Sequence, residues 1–289
     1  MGKTKILILG ATGMAGHVAH SYLKDTQQYD IANVVFRTSL DEESIVVDVT
    51  NKEKLKQVIE NENPDFILNC IGVLIGGSSE NPANAIYINA YLPHLLSSIA
   101  KKINAKLIHI STDCVFSGKQ GMYSENNFRD ADDVYGRSKA LGEIDNGKDL
   151  TIRTSIIGPE MKKNGEGLFH WFMKQAGEIN GFTKAFWGGI TTLELAKVIH
   201  AAINQNISGL INVTNGDKIC KYDLLKLIQR VYKKEDVKIS PLDGKQVDKS
   251  LVSIRDDFDY KVALYEDMIK DQYEYMLVNK PLYSTLYKF

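Results

Sequence analysis

The sequence contains few cysteines, no excess of charge of either sign and no long hydrophobic run. Its three cysteines, Cys70, Cys114 and Cys220, form neither a CxxC motif nor a cluster with histidine, so we expect no metal site and a reducing compartment. Lys and Arg total 35 against 36 Asp and Glu. The basic excess that is typical of nucleic-acid-binding proteins is therefore missing, and we expect no nucleic-acid partner.

The hydrophobic runs are too short for a membrane span or a secretion signal. The first run, at residues 6–9, is far shorter than the ~20 residues of a membrane-spanning helix and shorter than the core of a signal peptide. We therefore expect a cytoplasmic protein with no membrane partner. Hydrophobic residues make up 44% of the 289 residues and charged residues 25%, which is typical of a globular protein.

Short apolar segments alternate with amphipathic segments through the first half of the chain. The segments that predict strands are residues 6–9, 31–36, 44–47, 65–69, 106–110 and 150–153. The segments that predict helices between them are residues 14–24, 50–60, 81–102 and 132–146. This alternation is typical of a doubly wound parallel sheet, so we predict an α/β protein of the Rossmann type.

The composition changes after Gly158-Pro159, where glycines are scattered among aromatic residues. We predict a Rossmann domain over residues 1–158, with a later strand near residues 209–213 that rejoins its sheet. Residues 159–289 are expected to form mainly a smaller, interleaved substrate-binding lobe.

A glycine pattern joins the first predicted strand to the first predicted helix. Gly10, Gly13 and Gly16 have GxxGxxG spacing, which permits a tight turn and brings a pyrophosphate close to the free N–H groups of a helix N-terminus. We predict that this turn, including Thr12 and Met14, binds a dinucleotide. A glycine-rich turn that binds nothing is the alternative.

The residue after the second strand discriminates between dinucleotides. An acidic side chain there would bind the ribose 2′-hydroxyl of NAD, but this sequence has Arg37. A guanidinium pairs with a 2′-phosphate, so we favour NADP(H) over NAD(H), with a solvated surface arginine as the alternative. Further cofactor contacts are expected where the next two strands end. These residues are Asp48, Val49, Cys70, Ile71 and Gly72.

The predicted catalytic residues follow the fifth strand and lie on the helix after it. Tyr135 and Lys139 are four residues apart and therefore share one helix face. An ammonium beside a phenol favours the phenolate, so we expect the pKa of Tyr135 to fall towards working pH, and Lys139 can also bind a ribose hydroxyl. Thr112 supplies a hydroxyl for a carbonyl oxygen. These groups predict hydride transfer at carbon with proton transfer at oxygen.

Together these segments resemble the extended short-chain dehydrogenases/reductases. The segments that carry this resemblance are GATGMAG at 10–16, NCIG at 69–72, STDCVF at 111–116, YGRSKALGE at 135–143 and RTS at 153–155. More narrowly, STDCVF, YSE at 123–125 and YGRSK are similar to the dTDP-4-dehydrorhamnose reductases and their relatives. The resemblance covers essentially the whole chain and is strongest up to Gly158.

The resemblance implies an NADP(H)-dependent reductase that acts on a nucleotide-linked 4-keto-6-deoxyhexose in surface-polysaccharide sugar biosynthesis, with a homodimer as the candidate assembly. It implies that Tyr135 donates the proton, that Lys139 is its partner and that Thr112 orients the carbonyl. It also implies that Asn89 supports the active site. An epimerase of the same fold is one alternative. A non-catalytic NADP-binding regulatory subunit, as in the related beta subunit of methionine adenosyltransferase, is another.

The departures from the family pattern fall mainly on the sugar side. Cys114 stands where the family usually has tyrosine, and Asp132-Asp133-Val134 precedes the catalytic tyrosine where Pro and Asn are usual. The nature of the reaction is therefore better supported than the identity of the sugar. The weaker substrate-side candidates are Phe169, His170, Trp187 and Lys249.

Overall fold

The computed structural model describes residues 2–288. Its strands are β1 (Thr4–Leu9), β2 (Tyr29–Val35), β3 (Ile45–Val46), β4 (Phe66–Asn69), β5 (Lys106–Ser111), β6 (Leu150–Arg153), β7 (Ile156–Ile157), β8 (Gly177–Phe182), β9 (Ala185–Trp187), β10 (Ile190–Thr191), β11 (Gly209–Asn212), β12 (Ile219–Cys220), β13 (Val237–Leu242) and β14 (Val247–Asp248). Seven of them form a central sheet in the order β11-β6-β5-β4-β1-β2-β3, in which every pair is parallel. The predicted doubly wound parallel sheet is confirmed.

Along the chain, helices lie between the strands of this sheet and in the smaller lobe formed by the second half of the chain. They are α1 (Met14–Asp25), α2 (Lys52–Glu62), α3 (Ile75–Glu80), α4 (Pro82–Ala85), α5 (Leu92–Lys102), α6 (Val134–Leu141), α7 (Leu168–Met173), α8 (Thr192–Asn204), α9 (Lys221–Val231), α10 (Tyr265–Val278) and α11 (Lys280–Tyr283). A π-helical turn (Ile86–Tyr91) joins α4 to α5, and a 3₁₀ turn (Asp113–Val115) follows β5. Within residues 2–288, no helix is both long and apolar enough to cross a membrane.

The first strand is apolar from Ile6 to Leu9 because both faces of the sheet are covered there. Ile6 and Ile8 belong to one buried cluster, which also contains side chains of α1 and α8. Leu7 and Leu9 belong to the other, which contains side chains of α2 and α5. Successive side chains of a strand point to opposite faces, so a strand between two helical layers needs hydrophobic residues at every position.

The second half of the chain contributes to both the central sheet and a smaller lobe. Gly209–Asn212 pairs with β6 at the edge of the sheet, and α8 packs against α1. The smaller lobe contains a three-stranded sheet of order β12-β9-β14. The backbone N–H of Asp248, in β14, donates to the carbonyl oxygen of Gly118 at 2.8 Å, which joins this sheet to the loop after β5. The boundary at residue 158 stays a prediction.

Several helices differ from their predicted bounds for local reasons. The helix predicted at residues 132–146 begins later, because Asp133 caps its start by accepting from the N–H of Gly136 at 2.8 Å, and it ends earlier, at Leu141. The segment 81–102 is not one regular α-helix but contains the π-helical turn. The short helices α3 and α7 were not predicted, since six residues each give too little periodicity to recognise.

Candidate active site

The glycine turn brings the start of α1 against the end of β1. Gly10 has a positive φ of 81°, which side chains disfavour, and its N–H donates to the carbonyl oxygen of Val34 at 2.9 Å. A Cβ on Gly16 would lie 2.2 Å from the carbonyl oxygen of Gly10, so only glycine permits this packing. Gly13 begins the helix, and no side chain caps it. The first N–H groups of α1 therefore remain free for an anion.

A cleft of about 440 Å³ opens beside this turn. It lies where the strand order reverses between β1 and β4, which is where open parallel sheets bind their ligands. The predicted cofactor residues that line it are Gly10, Thr12, Gly13, Asp48, Val49, Cys70, Ile71 and Gly72. The free helix N-terminus and the cleft volume fit a dinucleotide.

Besides Tyr135 and Lys139, which lie on α6 and were also predicted to bind the cofactor, three predicted cofactor residues are not part of the cleft lining. Met14 faces the loop before α7, and Gly16 acts by allowing the turn to pack. Arg37 is exposed at the rim, where its guanidinium carbon lies 4.4 Å from the ring centroid of Phe36. Hydrogen bonds from Thr50 lower the pKa of Asp48, and the nearby charge of Arg37 lowers it further. The roles predicted for Arg37 and Asp48 stay predictions.

Helix α6 carries Tyr135 close to the end of β5. A Cβ on Gly136 would lie 2.3 Å from the carbonyl oxygen of Cys114, so the glycine lets the helix approach the 3₁₀ turn directly. Tyr135 therefore lies beside Thr112. The Thr112 hydroxyl donates to Oδ1 of Asp113 and accepts from the N–H of Cys114, each at 3.1 Å. Tyr135 and Thr112 are thus neighbours, as a carbonyl-binding site requires.

Lys139 lies one turn further along α6 and is 4% exposed. Its ammonium donates to the carbonyl oxygen of Ile110 at 2.7 Å and lies 3.4 Å from Nε2 of His109. Burial lowers the pKa of Lys139 to about 8. The ammonium is also close enough to Cys70, in the cleft wall, for the two groups to interact.

The pKa of Tyr135 differs from the sequence-based expectation. Burial raises it above the usual range of a phenol, and the neighbouring Thr112 opposes this only in part. The expected lowering by Lys139 is therefore wrong for this structure, because desolvation of the phenolate has the largest effect on this pKa and the ammonium of Lys139 donates to the carbonyl oxygen of Ile110. The raised pKa keeps the phenol protonated at neutral pH, which is the form that a proton donor needs.

Asn89 contributes to the site through its neighbours. The side chain is fully buried in the π-helical turn. Its Oδ1 accepts from the N–H of Val73 and its Nδ2 donates to the carbonyl oxygen of Val73, both at 2.9 Å. Nδ2 also donates to Oγ of Ser138 at 3.2 Å. Asn89 thereby fastens the loop after β4, which lines the cleft, to the helix that carries Tyr135.

Two substrate-side predictions need correction. Phe169 is 1% exposed and packs against Tyr232 and Tyr287 in the core. His170, also 1% exposed, has its Nδ1 2.7 Å from the hydroxyl of Tyr287. Neither side chain has a surface for a substrate, because the apolar spacing of α7 packs both inwards. Trp187 is buried against Tyr265, and its substrate role stays a prediction.

Sequence reasoning missed two lysines that accompany Lys249. The carboxyl group of Asp113 interacts with both Lys249 and Lys221, and Lys221 interacts in turn with Lys245. Pairing of β12 and β14 with β9 brings their segments together. None of the three ammonium groups forms an ion pair within residues 2–288. These three lysines, here termed the basic cluster, lie near the carboxyl group of Asp113, the residue after Thr112. No sequence pattern predicts this cluster.

The parallel sheet, the glycine turn and the Tyr135–Lys139 pair define an extended short-chain dehydrogenase/reductase. More specifically, the chain belongs to the family of the RmlD substrate binding domain, whose model matches residues 4–252. The resemblance to dTDP-4-dehydrorhamnose reductases that the motifs predicted is confirmed.

Individual relatives agree with this assignment. The dTDP-4-dehydrorhamnose reductase of Aggregatibacter actinomycetemcomitans is 25% identical over 98% of this chain and 84% of its own. The dTDP-4-keto-6-deoxy-D-glucose reductase of Streptomyces niveus is 24% identical over 83% of each. The crystal structure of dTDP-4-dehydrorhamnose reductase from Bacillus anthracis, in complex with NADP, has a TM-score of 0.79 and 22% identity, over 95% of this chain and 100% of that one. This last likeness supports the fold.

Proposed function

We propose that this protein is an NADPH-dependent reductase that converts the keto group of a nucleotide-linked 4-keto-6-deoxyhexose to an alcohol, within surface-polysaccharide sugar biosynthesis. The observation that carries the proposal is the position of Tyr135 beside Thr112, with the buried Lys139 one turn further along the same helix. Membership of the reductase family supports the same reaction.

Tyr135, Thr112 and Lys139 have separate roles in the proposed reduction. When bound, the nicotinamide of NADPH supplies the hydride. Tyr135 donates its proton to the developing alkoxide, and its raised pKa makes the phenol the resting form. Thr112 holds the keto oxygen by turning its hydroxyl from Asp113 to the substrate. Lys139 donates to a ribose hydroxyl, and its ammonium stabilises the phenolate form of Tyr135 after the proton has been transferred.

The preference for NADPH rests on the end of β2. No carboxylate occurs between Val35 and Asp41, so the usual acceptor for the ribose 2′-hydroxyl of NAD is missing. Arg37 at the rim of the cleft is the cation that would pair with a 2′-phosphate. Asp41 itself is engaged by Asn33 and Ser44, so it does not replace that acceptor.

A charged substrate is favoured by the basic cluster of Lys221, Lys245 and Lys249. The three ammonium groups repel one another and outnumber the carboxyl group of Asp113 that interacts with them, so a further anion would stabilise them. The diphosphate of a sugar nucleotide is such an anion. The names of the relatives make a dTDP-linked sugar the first substrate to test.

The experiment is to incubate the protein with NADPH and a panel of dTDP- and UDP-linked 4-keto-6-deoxyhexoses and to follow both NADPH absorbance and the sugar product. A reductase consumes one NADPH for each alcohol formed. An epimerase changes the sugar without net consumption. A regulatory subunit binds NADPH without turnover of any sugar, so the result separates the three functions.

A further inference from the structure

Residues 160–167, here termed the strap, cross the mouth of the cleft between two of its walls. On one side, a Cβ on Gly167 would lie 3.2 Å from Sδ of Met14, at the start of α1. On the other side, a Cβ on Gly76, in α3, would lie 3.4 Å from Oε2 of Glu166. The glycine turn leads into α1, and the loop after β4 leads into α3. The strap therefore bridges the two segments between which a dinucleotide would lie.

Lys162 is the strap residue that reaches the cleft. It lines the same cavity as Gly10 and Gly13. Its ammonium forms no ion pair with any carboxylate in the part of the chain that the structure describes, residues 2–288. A lysine without an ion pair thus lines the same cavity as the uncapped N-terminus of α1, and both features favour an anion in that cavity.

The strap is held in place on both sides of Lys162. Oε1 of Glu160 accepts from the N–H of Gly167 at 2.7 Å, which closes the loop on itself. The N–H of Glu160 donates to the hydroxyl of Tyr287 at 2.9 Å. That hydroxyl also lies 2.7 Å from Nδ1 of His170, whose Nε2 lies 3.2 Å from the carbonyl oxygen of Lys163. The single hydroxyl of Tyr287 therefore connects to the backbone at both ends of the segment 160–163.

The same C-terminal segment also holds the glycine turn, which forms one wall of the cleft. The hydroxyl of Tyr283 lies 3.0 Å from Nε2 of His17, and Nδ1 of His17 lies 2.8 Å from the carbonyl oxygen of Gly13. Burial lowers the pKa of His17 to about 4, so the ring is neutral at working pH. It then donates to Gly13 and accepts from Tyr283. Two tyrosines four residues apart thus fix the glycine turn and the strap relative to each other.

We propose that Lys162 binds the pyrophosphate of the dinucleotide from the strap, and that Tyr287 is a positioning residue that holds Lys162 over the glycine turn. The inference rests on the proposed dinucleotide cofactor. Lys162 adds a charged contact that the glycine turn, which offers only backbone N–H groups, does not supply. Tyr287 touches no cofactor atom itself and acts through the strap.

The test is a direct titration of NADPH, followed by nicotinamide fluorescence, with four variants of the full chain. Lys162→Met should raise the Kd about 10-fold or more and reduce its dependence on salt, because a charge-assisted contact is lost. Lys162→Arg should retain most of the affinity. Tyr287→Phe should raise the Kd several-fold, whereas Tyr273→Phe is the matched control. The ring of Tyr273 packs edge-on against Tyr232 in the same C-terminal region.

The double variant Lys162→Met/Tyr287→Phe decides the positioning role. If Tyr287 acts through Lys162, the double variant binds NADPH no more weakly than Lys162→Met alone. Additive losses would overturn that role, because they would mean that Tyr287 acts on the fold in general. Unchanged binding by Lys162→Met would overturn the assignment of Lys162 and leave the proposed function standing. Failure of the unmodified protein to bind NADPH would overturn both.

Discussion

The ammonium of Lys139 donates a hydrogen bond to the carbonyl oxygen of Ile110 across 2.7 Å. This contact holds the lysine against the end of β5, away from solvent and next to Cys70 in the cleft wall. A buried ammonium is costly, and the pKa of Lys139 falls to about 8. The proposed ribose contact therefore depends on a proton that the free protein loses only slightly above neutral pH.

This relationship predicts a pH dependence of cofactor binding. Below pH 8 Lys139 is protonated in the free protein, so its contribution to NADPH affinity should be constant. As the pH rises through about 8, the free protein loses the proton and the affinity should decrease. Titration of NADPH at a series of pH values measures the effect. Lys139→Met should bind weakly and show no inflection there; an unchanged inflection would assign it to another group.

Arg37 is expected to decide between the two dinucleotides. Arg37→Ala should weaken NADPH binding about 10-fold or more, because a hydrogen bond to a charged group contributes about 1.5–3 kcal/mol, and should leave NADH binding nearly unchanged. Arg230→Ala is a suitable control, since that exposed arginine pairs with Glu266 on helices remote from the cleft. Equal losses of affinity for NADPH and NADH would contradict the pairing of Arg37 with the 2′-phosphate.

The glycine turn offers a test that separates binding from folding. Gly13 has φ −79° and ψ 170°, which any residue can adopt, although a Cβ there would lie 3.1 Å from the carbonyl oxygen of Gly10. Gly13→Val should therefore fold with a reduced Tm, and its side chain would occupy the space in front of α1 where the pyrophosphate is expected. We predict loss of NADPH binding in a variant that still unfolds cooperatively. Normal affinity in this variant would mean that the turn has only a structural role.

The basic cluster is expected to act on the sugar nucleotide and not on NADPH. Lys221→Gln and Lys249→Gln should each raise the KM for the sugar nucleotide, with the Kd for NADPH unchanged. Lys218→Gln is the matched control, because Lys218 already pairs with Asp248. If both variants leave the substrate KM unchanged, the diphosphate binds elsewhere in the cleft.

The sequence predicts what depends on short-range patterns. Apolar runs such as residues 6–9 identify the strands, and the Gly10–Gly16 spacing identifies the turn and the cleft beside it. The pair Tyr135 and Lys139 follows from helix periodicity. The pKa of Tyr135 did not follow, because it depends on how deeply the fold buries the phenol, and four-residue spacing alone conveys only the neighbouring charge.

Features that depend on contacts between distant segments of the chain could not be predicted from the sequence. Lys221 directly follows β12 and Lys249 directly follows β14, and these two strands meet only because both pair with β9. Likewise, the partner of His170 is Tyr287, 117 positions further along the chain. A histidine and an aromatic residue near a glycine-rich segment resemble a ligand site in sequence, but here His170 forms hydrogen bonds that hold the strap and Phe169 packs in the core.

The most direct test of Tyr135 as the proton donor is the turnover number of Tyr135→Phe. It is measured with NADPH and the 4-keto sugar nucleotide that the unmodified protein reduces. The substitution keeps the ring and removes only the hydroxyl. General acid catalysis contributes about 10²–10⁴-fold, so kcat should fall by about that factor while the Kd for NADPH changes little. A Tyr135→Phe variant with near-normal kcat would contradict the assignment of Tyr135 as the proton donor.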